Sequence, residues 1–337
     1  MKIVVTGGLG FIGSHTVVEL QQQGFEVIII DDLSNSEITV LDGIEKITGI
    51  RPEFMQMDLR DKTLVNSFFT SNPKVKGVIH FAASKAVGES TEKPILYYEN
   101  NLVPLLNILA NLEPQDKSYF IFSSSCTVYG QADKMPITED APIKEAFSPY
   151  GNTKQIGEEI IRDVAKVSNV NAVLLRYFNP IGAHESGLIG ELPLGVPQNL
   201  IPFITQTAIG KRKELSVFGD TYNTPDGTCI RDYIHVVDLA KAHVAALIRL
   251  IKEENKQKIE IFNVGTGKGS SVMEIIKTFE KVSGQVLPYK IVDKREGDIT
   301  QAFACIKKAN EVLGWKATLS LEDALLSAWK WEQSRLK

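Results

Sequence analysis

Cysteine is scarce in this sequence: Cys126, Cys229 and Cys305 are the only three in 337 residues, odd in number and without CxxC spacing. That excludes a disulfide framework and a thiolate zinc site, and it points to a reducing, cytoplasmic setting with no metal site. Long apolar runs are missing too. The densest, such as Val27 to Ile30, are of strand length and end in charge, whereas a membrane span needs about 20 apolar residues. The N-terminus runs from one lysine into a glycine-rich turn, so no signal peptide is expected. A basic excess is absent as well. Lys+Arg 37 against Asp+Glu 41 gives a net charge of −4, which argues against a nucleic-acid partner. No repeat or low-complexity tract appears. What is present, 43% hydrophobic and 23% charged residues, is the composition of a soluble globular protein with one large domain or two modest ones.

The first half alternates short β-branched runs with segments of helical length. Lys2–Thr6, Glu26–Ile30, Glu53–Met57, Gly77–Phe81, Tyr119–Phe122 and Ala172–Leu175 read as buried strands bounded by turn residues. Ser14–Gln23, which ends at Gly24, then Asp61–Thr70 and Ile95–Leu112 read as helices. This alternation predicts an α/β fold: a Rossmann-type doubly wound parallel sheet covered on both faces. From Asn179 to about Pro202 the periodicity fails and Gly, Pro and Asn accumulate, a loop long enough to suggest function. Tyr233–Val237 and Glu260–Val264, flanking a helix around Leu239–Leu250, are expected to return to the first sheet. Helices at Val272–Val282, Lys307–Leu313 and Leu321–Gln333 are expected to build a smaller C-terminal α/β substrate lobe. The dinucleotide-binding domain is then 1–179 plus about 233–264, and the substrate lobe about 180–232 and 265–337. The ligand should sit between them, at the carboxyl ends of the strands.

Thr6-Gly7-Gly8-Leu9-Gly10-Phe11-Ile12-Gly13 follows the first strand and opens a helix. Gly7, Gly10 and Gly13 form G-x-x-G-x-x-G, a variant of the dinucleotide fingerprint. They permit a tight turn, close approach to a pyrophosphate, and close helix–strand packing. The helix N-terminus offers free N–H groups to phosphate. Asp31 ends the second strand, where a carboxylate bonds the adenine ribose. No arginine at 32–36 greets a 2′-phosphate, so NAD is favoured over NADP. Asp58, ending the third strand, suits either the adenine or a structural turn.

Tyr150 and Lys154 open another helix after Ser148-Pro149, and a spacing of four puts them on one face. A free phenol, with a pKa of about 10, is a poor base at neutral pH. A cation about 4 Å away, at an effective dielectric of about 20, contributes roughly 4 kcal/mol, or about three pKa units. Lys154 is therefore expected to bring Tyr150 towards the range where a general base works. Ser123-Ser124-Ser125 end the fifth strand, and Ser125 is placed to bond the same reacting oxygen. The three motifs together describe hydride transfer with proton abstraction from an alcohol.

In this order and spacing the motifs resemble the extended short-chain dehydrogenase/reductases, and within them the branch that epimerises UDP-hexoses at carbon 4. The likeness runs along nearly the whole chain. It is carried by Val5–Gly8, Phe11–His15, His80–Ala83, Lys85–Ser90, Phe122–Gly130, Leu175–Gly182, Arg231–Val236 and Arg295-Glu296-Gly297-Asp298. It implies that Tyr150 takes the proton of the sugar 4-hydroxyl, Ser125 holds that oxygen, and hydride passes to tightly bound NAD and back after the 4-keto sugar has turned. By matching position it implies NAD contacts at Phe11, Ile12, Asn35, Asp58, Leu59, Phe81, Ala82, Lys85, Asn100, Lys154 and Tyr177. It implies UDP-sugar contacts at Lys85, Asn179, Asn199, Leu200, Phe218, Arg231, Arg295 and Asp298. Arg231 and Arg295 also suit a diphosphate as planar, permanently charged donors. The family further implies a homodimer through Ile95–Leu112 and Tyr150–Val167, with Ile95, Leu102, Leu105, Leu106 and Leu109 apolar on more than one face.

One departure bears on substrate range. Relatives restricted to glucose and galactose carry a Tyr four residues after the Asp of Arg-Glu-Gly-Asp; that position is Ala302 here. A small side chain there implies room for an acetamido group, while a slip of one would set Phe303 at the gate; the alternative is that Ala302 and Ala304 are one face of an alternating strand with no contact to sugar. Two other readings stand beside the epimerase. Nucleotide-sugar dehydratases and decarboxylases resemble this chain but carry an acidic residue two positions after the site Ser or Thr, where this sequence has Thr127. A non-catalytic NAD-sensing regulator has no need of Ser125, Tyr150 and Lys154 together. His80 and His235 read as core histidines, Gly265–Gly269 as a turn rather than a phosphate loop, and Cys126 as a packing residue whose thiol, if exposed, invites oxidation.

Overall fold

A computed structural model describes residues 1–295 and 298–336; Glu296 and Gly297 of the Arg-Glu-Gly-Asp run lie outside them. Thirteen strands are present among the described residues. Seven form one parallel sheet: β1 Lys2–Thr6, β2 Glu26–Asp31, β3 Glu53–Gln56, β4 Val75–His80, β5 Ser118–Ser125, β6 Val170–Tyr177 and β10 Ile259–Val264. Their order is β10-β6-β5-β4-β1-β2-β3. Strand order reverses beside β1, so a crevice opens at the carboxyl ends of β1 and β4, where doubly wound sheets bind ligands. The ten α-helices among the described residues are α1 Phe11–Gln22, α2 Val40–Thr48, α3 Lys62–Ser71, α4 Val87–Glu92, α5 Pro94–Leu112, α6 Pro149–Val167, α7 Leu200–Ala208, α8 Val236–Ile251, α9 Val272–Ser283 and α10 Leu321–Ser334.

The apolar runs are continuous because both sheet faces are buried. Ile3, Val5, Ile29, Ile79, Ile121 and Val173 join Val17, Leu20, Leu239 and Leu247 of α1 and α8 in one core. Their strand neighbours Val4, Ile28, Val78, Phe120, Phe122 and Leu174 join Phe68, Leu105, Ile108 and Ile161 of α3, α5 and α6 in the other. Period-two alternation thus feeds two cores at once.

The remaining strands are β7 Asn179–Ile181, β8 Leu215–Phe218, β9 Ile230–His235, β11 Gly269–Ser271, β12 Tyr289–Val292 and β13 Gln301–Ala302. Strands β7, β9, β11 and β13 form a second sheet, and β8 pairs with β12. A separate core of Ile204, Val217, Ile276, Phe279, Leu325 and Trp329 unites α7, α9 and α10.

Two expectations are corrected here. Tyr233–Val237 does not return to the first sheet: β9 lies in the second, and only β10 comes back. The cause is Asp232, fully buried, whose carboxylate accepts the backbone N–H groups of Thr266, Gly267 and Ala304 at 2.8, 3.0 and 3.1 Å. Those donors pin β9 to the turn after β10 and to the segment after β13. Secondly, the Lys307–Leu313 segment, expected in the substrate lobe, packs on the first sheet: Ala309, Leu313 and Trp315 belong to the α1–α8 core, and Trp315 Nε1 donates to the Asp238 carbonyl at 3.0 Å. No helix of the described residues is long and apolar enough to cross a membrane.

Candidate functional site

The crevice is lined first by the glycine loop. Gly7 has φ +65, and a Cβ there would lie 2.8 Å from the Ala82 nitrogen; one at Gly13 would lie 2.2 Å from the Gly7 carbonyl oxygen. The backbone is thus drawn into a cradle that side chains would fill, beneath the N-terminus of α1, as a pyrophosphate requires. Asp31, buried at the end of β2, accepts from Leu9 N and Leu33 N, each at 3.0 Å, and from Ser36 Oγ at 2.7 Å. It joins the glycine loop to the loop bearing exposed Asn35. Phe11 and Ile12 on α1, and Phe81 and Ala82 beyond β4, are half-buried around this cradle, and Leu59 is buried. Asp58 and Asn100 are linked by Arg60, which donates to them at 2.7 and 2.8 Å. The cradle fits a dinucleotide.

Further along the sheet, β5 runs on through all three serines. Serine at 148 caps α6 through Gly151 N, and Pro149 occupies the first turn, so the helix begins where Tyr150 faces the strand end. Tyr150 and Lys154 are both buried. Lys154 Nζ donates to the Ser123 carbonyl at 2.8 Å, 5.9 Å from the Tyr150 ring centre and 5.0 Å from that of Phe122. The Ser125 hydroxyl faces the Tyr150 oxygen and favours its ionised form, but burial dominates and pushes the phenol above its usual range. Burial also brings Lys154 down to about 8. The lowering of Tyr150 expected from Lys154 is therefore not supplied by these residues alone: the ammonium rests on a carbonyl rather than on the phenol. Tyr177 shares a hydrogen bond with Ser123 Oγ, and burial raises its own phenol to about 12. Burial likewise pushes the Cys126 thiol up to about 12, and the side chain rests on the Val128 and Phe178 cluster, as a packing residue would. His80 lies in the core, bonded to Thr6 Oγ1 at 2.7 Å. His235 caps α8 through Val237 N and meets Ser327 Oγ at 3.2 Å.

The second sheet and its neighbouring segments carry the remaining predicted contacts. Arg231 on β9 donates to Asp298 at 2.5 Å, and the Arg295 guanidinium lies 3.7 Å from the Phe218 ring centre. Ala302 is opposite Arg231 in the β13–β9 register and packs with Val128 and Phe178, against which Cys126 also rests. Ala304 shares that face, whereas Phe303 turns towards Gly269. Asn199 precedes α7, Leu200 opens it, and half-buried Asn179 begins β7. The Asn199 amide donates to Glu191 Oε1 at 2.6 Å, and Lys85 Nζ reaches the same oxygen at 3.1 Å. One carboxylate thus joins residues of both lobes. Glu191 and Arg60 were missed in the sequence. The glycine- and proline-rich loop around Glu191 was the available signal; Arg60, two residues past Asp58, had none.

The sequence matches the GDP-mannose 4,6 dehydratase family model over residues 4–327. It is 48% identical over 337 residues to the UDP-glucose 4-epimerase of Bacillus subtilis (strain 168), covering 100% of this chain and 98% of the relative. Among solved structures, the UDP-glucose 4-epimerase of Stenotrophomonas maltophila with bound NAD and formylated UDP-arabinopyranose superposes with a TM-score of 0.95 at 45% identity, over 100% of this chain and 99% of that one. That of Bifidobacterium longum in complex with NAD+ and UDP gives 0.93 at 46%, again over 100% and 99%. Likeness of this depth, end to end and at the level of the fold, makes the chain a member of the UDP-glucose 4-epimerase family.

Proposed function

We infer that the protein interconverts UDP-glucose and UDP-galactose with NAD as a resident cofactor. The observation that carries this is the meeting of Ser125, Tyr150 and Lys154 at the strand ends beside the glycine cradle. Bound NAD supplies a hydride acceptor for carbon 4, a positive charge, and the returned hydride. Tyr150 accepts the proton of the sugar 4-hydroxyl and gives it back once the keto sugar has turned its other face. Ser125 holds the reacting oxygen by a hydrogen bond. Lys154 holds the cofactor ribose and adds positive charge below Tyr150. Gly7, Gly10, Gly13, Phe11, Ile12, Asp31, Asn35, Asp58, Leu59, Phe81, Ala82, Lys85, Asn100 and Tyr177 bind the cofactor. Arg231 and Arg295 hold the diphosphate, and Phe218, Asn179, Asn199, Leu200, Lys85 and Asp298 complete the sugar-nucleotide pocket. Adding UDP-sugar to purified protein should raise absorbance near 340 nm as the cofactor is transiently reduced; no change would favour a binding module. Thr127, where a dehydratase has an acid, disfavours the elimination reading.

Three finer parts of the proposal rest on particular residues. The cofactor-binding unit is 1–178, 236–264 and 309–319, with the rest binding UDP-sugar, and Ile189 and Ile234 reach from that rest onto the first core. Small Ala302, beside Arg231 in the β13–β9 register, supports acceptance of the acetylated pair UDP-N-acetylglucosamine and UDP-N-acetylgalactosamine as well. The protein forms a homodimer in the cytoplasm. On α5, Leu105 and Leu109 face the core, whereas Ile95 and Leu106 are 68% and 48% exposed and free to meet a second subunit. A monomeric mass by light scattering at micromolar concentration would refute the dimer.

A further inference from the structure

Tyr150, Lys154 and Glu158 recur at intervals of four along α6, and all three are buried. Each meets one of the consecutive serines that end β5. The Ser125 hydroxyl faces the Tyr150 oxygen, the Ser123 carbonyl accepts from Lys154 at 2.8 Å, and Ser124 Oγ donates to Glu158 Oε1 at 2.6 Å. Glu158 has no part in the reaction read above. It is nonetheless held as a carboxylate: Arg176 on β6 forms a two-point pair with it at 2.8 and 2.6 Å, and Arg162 adds a bond at 2.7 Å. Arg176 stands opposite Ser124 in the β5–β6 register, with its guanidinium 4.8 Å from the Tyr129 ring centre. Both members of the pair are 2% exposed.

Such a pair is a poor device for stability, since apolar residues of similar volume often do as well. Its placement suggests another use. Pleat alternation puts Ser124 with Phe120 and Phe122 on the face under α6, and Ser123 and Ser125 on the opposite one. The grip on Ser124 therefore comes from the helix side and leaves the reacting hydroxyl free. We propose that Glu158, anchored by Arg176, is a positioning residue: by gripping Ser124 it sets the end of β5 so that Ser125 meets Tyr150 and the Ser123 carbonyl meets Lys154. The proposal rests on the assignment of Tyr150 as base.

Glu158→Gln leaves Arg176 buried with a neutral partner and threatens folding, so Ser124→Ala is the decisive variant: it removes the grip and keeps the ion pair. In the NAD-loaded enzyme, kcat for UDP-galactose should fall by about tenfold to a hundredfold, the scale of a small misplacement of reacting groups. KM should stay within about twofold while the acid limb of the kcat profile moves to higher pH, because Ser125 no longer eases ionisation of Tyr150. The groups facing Tyr150 are Ser125, Cys126, Tyr177 of β6, Tyr97 of α5 and Lys154. Burial keeps Cys126, Tyr177 and Tyr97 near 12, outside the assay range, and Lys154 titrates in parent and variant alike. Wild-type kcat in Ser124→Ala, or a lower kcat with an unmoved pH profile, would overturn the positioning role. Tyr150→Phe, run alongside, separates the two readings: full turnover there defeats the base assignment itself, whereas an inert Tyr150→Phe with a normal Ser124→Ala defeats the positioning role alone.

Discussion

Lys154 makes the protein without its cofactor dependent on pH in a way that can be calculated. The residue is 4% exposed and its ammonium bonds one carbonyl; the nearest carboxylate on its own helix, Glu158, is occupied by two arginines and a serine. Burial brings the group from 10.5 to about 8. A depressed amine is unfavourable to folding when charged, so the unfolded chain binds the extra proton between these two values. Stability must then rise with pH across that window. At 1.36 kcal/mol per unit, the penalty is about 3 kcal/mol at pH 7 and 8, and falls by about 1 kcal/mol between pH 8 and 9. The perturbation is Lys154→Met, close in volume and uncharged. The assay is urea unfolding of NAD-free wild type and variant at pH 7, 8 and 9, comparing their difference at each pH so that every other titration cancels. Wild type should gain on the variant by about 1 kcal/mol from pH 8 to 9 and by little from 7 to 8. Parallel curves, or a wild type that loses ground as pH rises, would refute the reasoning.

Gly13→Ala places a Cβ 2.2 Å from the Gly7 carbonyl oxygen. The overlap, typically about 1–3 kcal/mol, should outweigh the gain of about 1 kcal/mol in helix propensity. Lower thermal stability and lost NAD in the purified variant are expected; a stabilised variant that keeps NAD would show that the cradle is not needed. Ala302→Tyr should abolish turnover of the acetylated UDP-hexosamines while largely sparing UDP-glucose and UDP-galactose, measured as competing substrates. Wild-type protein inert on the acetylated pair would contradict the reading of Ala302.

Much of the site could be read from residue order because its motifs are local. The glycine loop, the Tyr-x-x-x-Lys spacing and the serines at a strand end are each set by a few neighbouring residues, and the fold brings them to the carboxyl end of one sheet. Ala302 was legible only as a position in a run; its face was settled by β13 pairing beside Arg231, which also turned Phe303 away. The misplacement of Tyr233–Val237 has a different origin. Its apolar content suits either sheet, and the choice was made by Asp232 bonding amides 34, 35 and 72 residues away. Trp315 likewise joins the first core through a carbonyl 77 residues distant. Burial was invisible too: Lys154 beside Tyr150 promised a lowered phenol, but its ammonium bonds the Ser123 carbonyl and burial raises the phenol instead.

The central claim is that Tyr150 moves the proton in a carbon-4 epimerisation. The measurement that tests it most directly is conversion of UDP-galactose to UDP-glucose by purified wild type and Tyr150→Phe, each checked for bound NAD. Active wild type, with Tyr150→Phe holding NAD but slowed by about 10²-fold or more, is predicted. A wild type that leaves UDP-galactose unchanged, or a Tyr150→Phe variant as fast as its parent, would contradict it.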